Sequence, residues 1–241
     1  VPPSGPASLP GVDAVPEAVL ADLAQILAHR LRGLVASIEG FTDLLADTLY
    51  TRDQREMALR ILEGTARIER VLADLQRYGA PVEPVMLPLL VGDVTADLLA
   101  PLAEDDRSRV TTAFDAAADQ PLLADPYLLR QALLVLVQNA LDATRHGGAV
   151  HLAARLEAAP REVVFEVWND GTVDVEAAEE RVFIPFFTTK AQNLGLGLPM
   201  ARRIATTHGG TVALAHNDAA AGTCFTLRLP VAPEPDGGAW I

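Results

Sequence analysis

Apolar residues recur every three or four positions along the first part of the chain, which is the spacing of an amphipathic helix. The pattern runs from Glu17 to Asp47 and predicts one long helix, with apolar positions at Leu20, Leu23, Leu27, Leu31, Leu34, Ile38, Phe41 and Leu45. A polar break follows around Thr51 and Asp53. A second, heptad-like series then predicts another helix, through Met57, Ile61, Gly64, Ile68, Val71, Leu75 and Tyr78. The two helices together predict an antiparallel hairpin.

A single hairpin of this kind can bury only one face of each helix. Pairing with a second copy as a four-helix bundle would complete the core. We therefore expect a homodimer held together by the hairpin.

The architecture changes after a cluster of helix-breaking residues, Gly79, Pro81, Pro84 and Pro88. Beyond it, helices are predicted near 92–105, 126–145 and 197–208, and strands near 110–114, 149–157, 163–169, 211–216 and 222–229. Asp125 followed by Pro126 is a typical helix start. The predicted fold class is a helical hairpin followed by an α/β sandwich.

The same pattern predicts four segments. They are a Pro-rich linker at 1–16, the hairpin at 17–79, the α/β domain at 85–232 and a tail at 233–241.

Charge and composition restrict the possible partners and location. There are 19 basic and 32 acidic side chains, a net charge of -13, which disfavours a nucleic-acid partner. The single cysteine, Cys224, cannot form an internal disulfide and favours a reducing, cytoplasmic compartment. No apolar run approaches the roughly 18 residues needed to span a membrane, so no direct membrane contact is expected from this segment.

Short motifs follow one another in a fixed order in the second domain. They are Asn139 with Ala140 and Asp142; Asn169-Asp170-Gly171; FIPFFTTK at 183–190; Gly195-Leu196-Gly197-Leu198; His208-Gly209-Gly210; and Gly222-Thr223-Cys224-Phe225. Each is weak evidence alone, but the ordered set resembles the ATP-binding domain of histidine kinases, within the superfamily that includes gyrase, MutL and the heat-shock chaperone ATPases. The resemblance covers about residues 85–230.

This resemblance implies a site for ATP and Mg²⁺. It implies that the Asn139 amide oxygen ligates Mg²⁺, a cation that prefers oxygen ligands, and that the Asn169 amide oxygen accepts the adenine amino proton where the family usually has Asp. A mobile lid would place Lys190 near phosphate, and the amides of Gly195 and Gly197 would lie at a positive helix end. The remaining residues implied for the nucleotide site are Asp142, Gly171, Thr189, Leu198 and Thr223.

Taken singly, these residues also have ordinary interpretations. Asn139 would be a helix-surface amide, Gly171 part of an Asn-Asp-Gly turn and Lys190 a solvated lysine.

His29 lies two residues from both Leu27 and Leu31, about 200° around the helix from each, so it faces away from the apolar seam. The segment from His29 to Phe41 resembles the phosphoacceptor box of histidine kinases. The resemblance implies that His29 is the phosphoacceptor and that the phosphoryl group passes to a response regulator.

Several positions depart from the family pattern. Arg30 stands where the commonest class has an acidic residue that accepts the imidazole proton, and a permanently cationic side chain cannot act as that base. Gly33 replaces the usual Asn or Thr, and Val135 replaces another Asn. Asn193 and Leu194 replace Gly-Thr, and Val173 replaces the second glycine of the adenine loop.

The leading interpretation is an ATP-dependent protein-histidine kinase with His29 and Arg30 at its catalytic position. The departures favour an alternative, a pseudokinase or dimeric scaffold that docks a response regulator without its own catalysis. A chaperone-type or mismatch-repair ATPase has little support, since those proteins do not begin with a His-bearing hairpin.

Overall fold

The structure is a computed structural model. It describes residues 17–46, 51–144, 147–172, 181–188, 194–218 and 221–232. The chain divides into two compact units between Pro81 and Val82. No helix in these ranges is long and apolar enough to cross a membrane.

Two antiparallel helices form the first unit, α1 (Glu17–Ala46) and α2 (Arg52–Gly79). Helix α2 begins with a capping box: the Thr51 hydroxyl accepts from the Gln54 N–H at 3.2 Å, and the Gln54 side chain accepts from the Thr51 N–H at 3.1 Å. These bonds satisfy two N–H groups that a helix start leaves unpaired. The polar break in the sequence is therefore a defined start of α2.

Small side chains line the contact between the two helices. Ala21, Ala24, Ala28 and Val35 of α1 are buried, as are Ala58, Thr65 and Leu72 of α2. Ala28, Val35 and Leu72 form a core cluster against which Leu75 packs. At the end of α2, a Cβ on Gly79 would lie 2.6 Å from the Ala21 carbonyl oxygen, so the backbones approach closely there.

A series of large apolar side chains of the hairpin lies on a different face and is exposed. On α1 they are Leu23, Leu27, Leu31, Leu34, Ile38, Phe41 and Leu45; on α2 they are Met57, Ile61 and Ile68. Leu34 is 63% exposed and Phe41 is 69% exposed. Most positions from which the seam was predicted thus form an uncovered apolar face, whereas Leu75 packs against the core cluster of the hairpin and Tyr78 is buried. We call the ten exposed residues the apolar face.

A five-stranded mixed sheet is the framework of the second unit. Its strands are β2 (Val110–Phe114), β4 (Val150–Ala158), β5 (Arg161–Asn169), β6 (Thr211–Asp218) and β7 (Gly222–Pro230). They lie in the order β2-β4-β5-β7-β6, with β2 and β4 parallel and the other pairs antiparallel.

Two helices pack against this sheet, α5 (Pro126–Ala143) and α6 (Gly197–Thr207). The strand residues of the core are Val163, Phe165 and Val167 of β5 with Leu152 and Ala154 of β4 and Phe225, Leu227 and Leu229 of β7, all at most 2% exposed. Their cross-strand pairing places them on one face of the sheet.

The other face of the sheet is polar. Arg155 pairs with Glu166 at 2.9 Å, and Arg228 pairs with Glu157 at 2.6 Å. The ion pairs pull the pKa of the Glu157 carboxyl down, chiefly through the hydrogen bond from Arg228.

The segment 92–105 is not the helix that the sequence predicts. It contains the short α3 (Val91–Thr95), then turns with bonds to the third residue along the chain, such as Leu98 N–H to Thr95, and then α4 (Glu104–Ser108). Pro101 has no N–H to continue a helical ladder and restricts the residue before it. The structure also contains a two-stranded ribbon that was not predicted from the sequence, formed by β1 (Leu87–Leu89) and β3 (Leu122–Ala124).

Candidate nucleotide site and phosphoacceptor

Helix α5 supplies the stripe of residues around which the candidate nucleotide site is built. Val135, Asn139 and Ala143 are spaced four apart and lie on one face. A Cβ on Gly197 would lie 3.1 Å from Val135 Cγ1, and Gly171 approaches the Ala143 carbonyl oxygen so closely that a Cβ there would overlap it. Asn139 is half-buried. It therefore lies one helical turn after Val135, which contacts the start of α6, and one turn before Ala143, which contacts the loop after β5.

The start of α5 is held by a network that the sequence motifs did not reveal. Asp125 Oδ1 accepts from the N–H groups of Tyr127 and Leu128, and Oδ2 accepts from the Val85 N–H. The Asp125 N–H donates to His208 Nε2 at 2.9 Å, while His208 Nδ1 lies 2.7 Å from the Ile204 carbonyl oxygen. His208 thus joins the end of α6 to the start of α5, which fixes the two helices that flank the site. The motif His208-Gly209-Gly210 was the only sequence signal for this link.

Asn169 ends β5 on the face of the sheet that the helices cover. It pairs with Val150 on one side and Thr223 on the other, and its side chain is fully buried. Neither Oδ1 nor Nδ2 has a hydrogen-bond partner among the described residues. A buried amide in this condition is costly, and a ligand with a donor and an acceptor would satisfy it.

The loop after β5 is anchored by Thr223. Its hydroxyl is buried and lies 2.8 Å from the Gly171 carbonyl oxygen and 3.0 Å from Asn217 Oδ1, the two acceptors to which it can donate. Gly171 is confined between this contact and Ala143. Thr223 therefore positions Gly171 in the loop after β5, and Asn217 is a supporting residue that no sequence motif indicated.

Asp170 is directed away from this contact, toward the loop after α5. A Cβ on Gly148 would collide with the Asp170 carboxylate and would lie 2.6 Å from Thr144 Cγ2. From the sequence alone, Gly148 is expected only to end the helix that starts at Pro126. The structure shows that it also leaves room for a carboxylate.

The start of α6 presents backbone N–H groups close to α5. Gly195 has φ +67°, and a Cβ on it would collide with the Phe187 carbonyl, so glycine is required at this position. Leu196 is the N-cap and makes no side-chain cap bond, which leaves the first amides of the helix available. Gly197 is exposed and Leu198 half-buried.

The segment at 183–188 leads into the predicted lid. Phe183 is buried, with the Arg202 guanidinium 5.4 Å from the centre of its ring, and Arg181 lies 4.9 Å from the Phe187 ring centre. Thr189 and Lys190, which the sequence assigns to the phosphate end of the site, lie outside the described residues, as do Val173 and Asn193.

Asp142 is exposed on the last turns of α5, and Cys224 is half-buried in β7. Burial raises the pKa of the Cys224 thiol, and the Glu166 carboxylate raises it further. The thiol is therefore a protonated, weakly reactive group.

In the other unit, His29 and Arg30 are both exposed on α1. His29 lies away from the buried face of Ala24 and Ala28, and a Cβ added at Gly33, one turn further along, would meet nothing within 4 Å. The imidazole is therefore on an open surface that another protein domain can approach.

Comparisons with known proteins agree with this arrangement. Residues 124–233 match the family model described as histidine kinase-, DNA gyrase B-, and HSP90-like ATPase. The sensor histidine kinase ZraS of Salmonella typhimurium is 30% identical over 212 residues, which are 87% of this chain and 45% of ZraS. The sensory histidine kinase/phosphatase NtrB of Rhodobacter capsulatus is 28% identical, over 88% of this chain and 62% of NtrB. The chain thus spans less than half the length of ZraS.

Solved structures are similar as well. The catalytic domain of histidine kinase ThkA is 29% identical with a TM-score of 0.51, over 61% of this chain and 95% of that domain. Full-length ShkA, solved in complex with AMPPNP, has a TM-score of 0.68 over 88% of this chain and 46% of ShkA, and at 24% identity this likeness shows the fold alone.

Residues 124–233 belong to the family of histidine kinase-, DNA gyrase B-, and HSP90-like ATPases. The helical hairpin ahead of that domain and the sensor histidine kinases among the relatives support a histidine kinase catalytic core.

Proposed function

We propose that this chain is an ATP-dependent protein-histidine kinase that phosphorylates His29 and passes the phosphoryl group to a response-regulator aspartate. One observation carries the proposal: a single chain combines an exposed histidine on a helical hairpin with an ATPase domain of the histidine-kinase family. Histidine kinase ThkA has been solved in complex with its response regulator TrrA, which supports a regulator as the partner. The hairpin of residues 17–79 is the phosphotransfer part and residues 85–232 the catalytic part.

Nucleotide binding is proposed at the junction of α5, β5 and α6. The unpaired Asn169 amide fits a nucleobase, and Gly171 lets the loop after β5 approach it. Gly195, Gly197 and Leu198 bring the first amides of α6 to the phosphates, a position that favours anions. Lys190 and Thr189 would add a cation and a hydroxyl, while Asp142 and Thr223 complete the surroundings of the base.

The residues also fit Mg²⁺. Asn139 places an amide oxygen on the stripe of α5 between the base and phosphate ends of the site, and oxygen is the donor that Mg²⁺ prefers. When bound with ATP, Mg²⁺ would offset the phosphate charge. Asn139 would hold the metal, while the start of α6 orients the phosphates.

Homodimerisation is proposed through the apolar face of the hairpin. Ten large apolar side chains of α1 and α2 are at least 40% exposed there, and large exposed apolar patches mark interaction sites. A second copy would cover it as a four-helix bundle. The single cysteine and the acidic net charge further favour a cytoplasmic protein that does not bind nucleic acid.

Arg30 limits the rate that we expect. Arg30 cannot act as the base that accepts the imidazole proton, because its guanidinium stays protonated. A positioned general base typically raises a reaction rate about 10²–10⁴-fold. Autophosphorylation should therefore be slow compared with that of kinases which have a carboxylate at this position.

Incubation with labelled Mg-ATP tests the proposal directly. We expect an acid-labile, alkali-stable phosphoryl group that is absent in His29→Ala, whereas the control His216→Ala, an exposed histidine of β6, keeps it. Both variants should fold and bind nucleotide as the parent chain does. A folded sample that binds nucleotide but gains no label over hours, with a regulator present, would refute kinase activity and favour the scaffold alternative.

A further inference from the structure

Asn169 differs from a carboxylate in a way that bears on which nucleobase the site selects. The amide has one acceptor, Oδ1, and one donor, Nδ2, whereas a carboxylate offers acceptors only. Both amide atoms are buried, and neither is engaged by the described protein residues. The pattern that a ligand must match is therefore one donor and one acceptor side by side.

The neighbours of Asn169 do not select between its two amide orientations. The Thr223 hydroxyl can donate to the Gly171 carbonyl oxygen or to Asn217 Oδ1, and it makes no hydrogen bond with the Asn169 amide. The Asp170 carboxylate is packed against Gly148 and Thr144. A rotation of about 180° around the last side-chain bond exchanges Oδ1 and Nδ2 in nearly the same space. Both orientations are thus open to a ligand.

We propose that Asn169 lets this site bind 6-oxopurine nucleotides as well as adenine nucleotides; the inference rests on the proposed nucleotide site. The adenine edge presents the N6 amino group as a donor beside N1 as an acceptor. A 6-oxopurine presents O6 as an acceptor beside N1–H as a donor. One amide orientation matches the first edge with two hydrogen bonds, and the rotated amide matches the second with two.

A carboxylate at this position forms one hydrogen bond with either base instead of two. One oxygen accepts from the adenine N6 amino group or from the 6-oxopurine N1–H, but the other oxygen has no hydrogen to offer adenine N1 or O6, and its charge repels that atom. Leaving a buried polar atom of the ligand or the site unpaired is costly. Asn169→Asp should therefore weaken the binding of both bases.

Isothermal titration of the full chain with Mg-ADP and with Mg-IDP tests this without any measurement of kinase activity. Inosine diphosphate differs from ADP only at the purine 6-position and the adjoining N1–H. We expect the two dissociation constants of the parent chain to agree within about tenfold, because each base forms two hydrogen bonds. In Asn169→Asp, both dissociation constants should rise by at least about tenfold, because each base keeps only one of its two hydrogen bonds.

The outcomes separate this inference from the proposed function. If the parent chain binds ADP but binds IDP more than about tenfold more weakly, the inference fails and the nucleotide site stands. Unchanged dissociation constants in Asn169→Asp would also overturn it. If neither nucleotide binds, the proposed nucleotide site itself fails. Should Asn169→Asp not fold, the parent chain's ratio still decides.

Discussion

Asp125→Asn should lower the free energy of unfolding by about 1–2 kcal/mol at neutral pH. The carboxylate accepts from the N–H groups of Tyr127 and Leu128 at 2.9 and 3.0 Å through one oxygen, and from the Val85 N–H at 2.9 Å through the other. An amide has only one acceptor oxygen, so its NH₂ group must face either the N–H groups of the helix start or the Val85 N–H. A donor then faces a donor, and that hydrogen bond is lost. The side chain is 9% exposed, so water cannot readily replace the lost partner.

The effect should also depend on pH in a defined direction. Burial raises the pKa of the Asp125 carboxyl, but the backbone N–H groups of Leu128, Val85 and Tyr127 together outweigh it and hold the pKa below its ordinary value of 3.8. A depressed pKa means that the folded state prefers the charged form. The stabilisation is therefore present above pH 3.8 and is lost as the pH falls through the lower pKa of the folded state.

Urea unfolding followed by circular dichroism, at pH 7 and near pH 3, measures both parts of this prediction. Asp97→Asn, an exposed carboxylate of the same unit, is the matched control and should behave like the parent chain. Equal unfolding midpoints for Asp125→Asn and the parent at pH 7 would refute the capping argument. A difference of the same size near pH 3 would refute its electrostatic part.

Three further outcomes are expected. Gly171→Ala should weaken ADP binding by at least about tenfold, because its Cβ would overlap the Ala143 carbonyl oxygen and displace the loop; unchanged titration curves would contradict this. Asn139→Ala should weaken Mg-ADP binding, whereas Gln138→Ala, exposed on the same helix, should not, and equal curves for both would remove Asn139 from the site. Leu34→Glu, at a 63% exposed position of the apolar face, should shift the chain to monomer in light scattering, and a parent chain that is already monomeric would contradict the dimer.

Local signals were sufficient for some elements and not for others. Asp125-Pro126 combines a cap with a first-turn proline, so the start of α5 could be read from two residues. The segment 92–105 has helical composition, yet Pro101 and tight turns divide it. Strand β1 contains Pro88, which as an isolated signal favours a break; its pairing with β3 depends on residues more than thirty positions away.

The candidate site also contains residues that local sequence signals indicate and residues whose roles depend on distant contacts. Ordered motifs identified Asn169 and Gly171, since each has a chemistry that a short pattern can indicate. The roles of Asn217 and Gly148 depend on contacts across the fold, with Thr223 and Asp170 respectively, and no local pattern encodes those distances. On α1, periodicity predicted the helix but could not decide which of two apolar faces packs against α2.

The alanine-lined contact between α1 and α2 limits the size of the side chains that can be substituted there. The only truncation possible at Ala24 or Ala28 is to glycine, which removes one methyl group and costs about 0.5–1 kcal/mol through the lower helix propensity of glycine. A gain of volume is different: a leucine at either position would wedge the helices apart, since overpacking forces backbone shifts that cost about 1–3 kcal/mol. At Ala24 and Ala28, substitution is therefore disfavoured in both directions, and more strongly for larger side chains, so sequence drift at these two positions is confined to small residues.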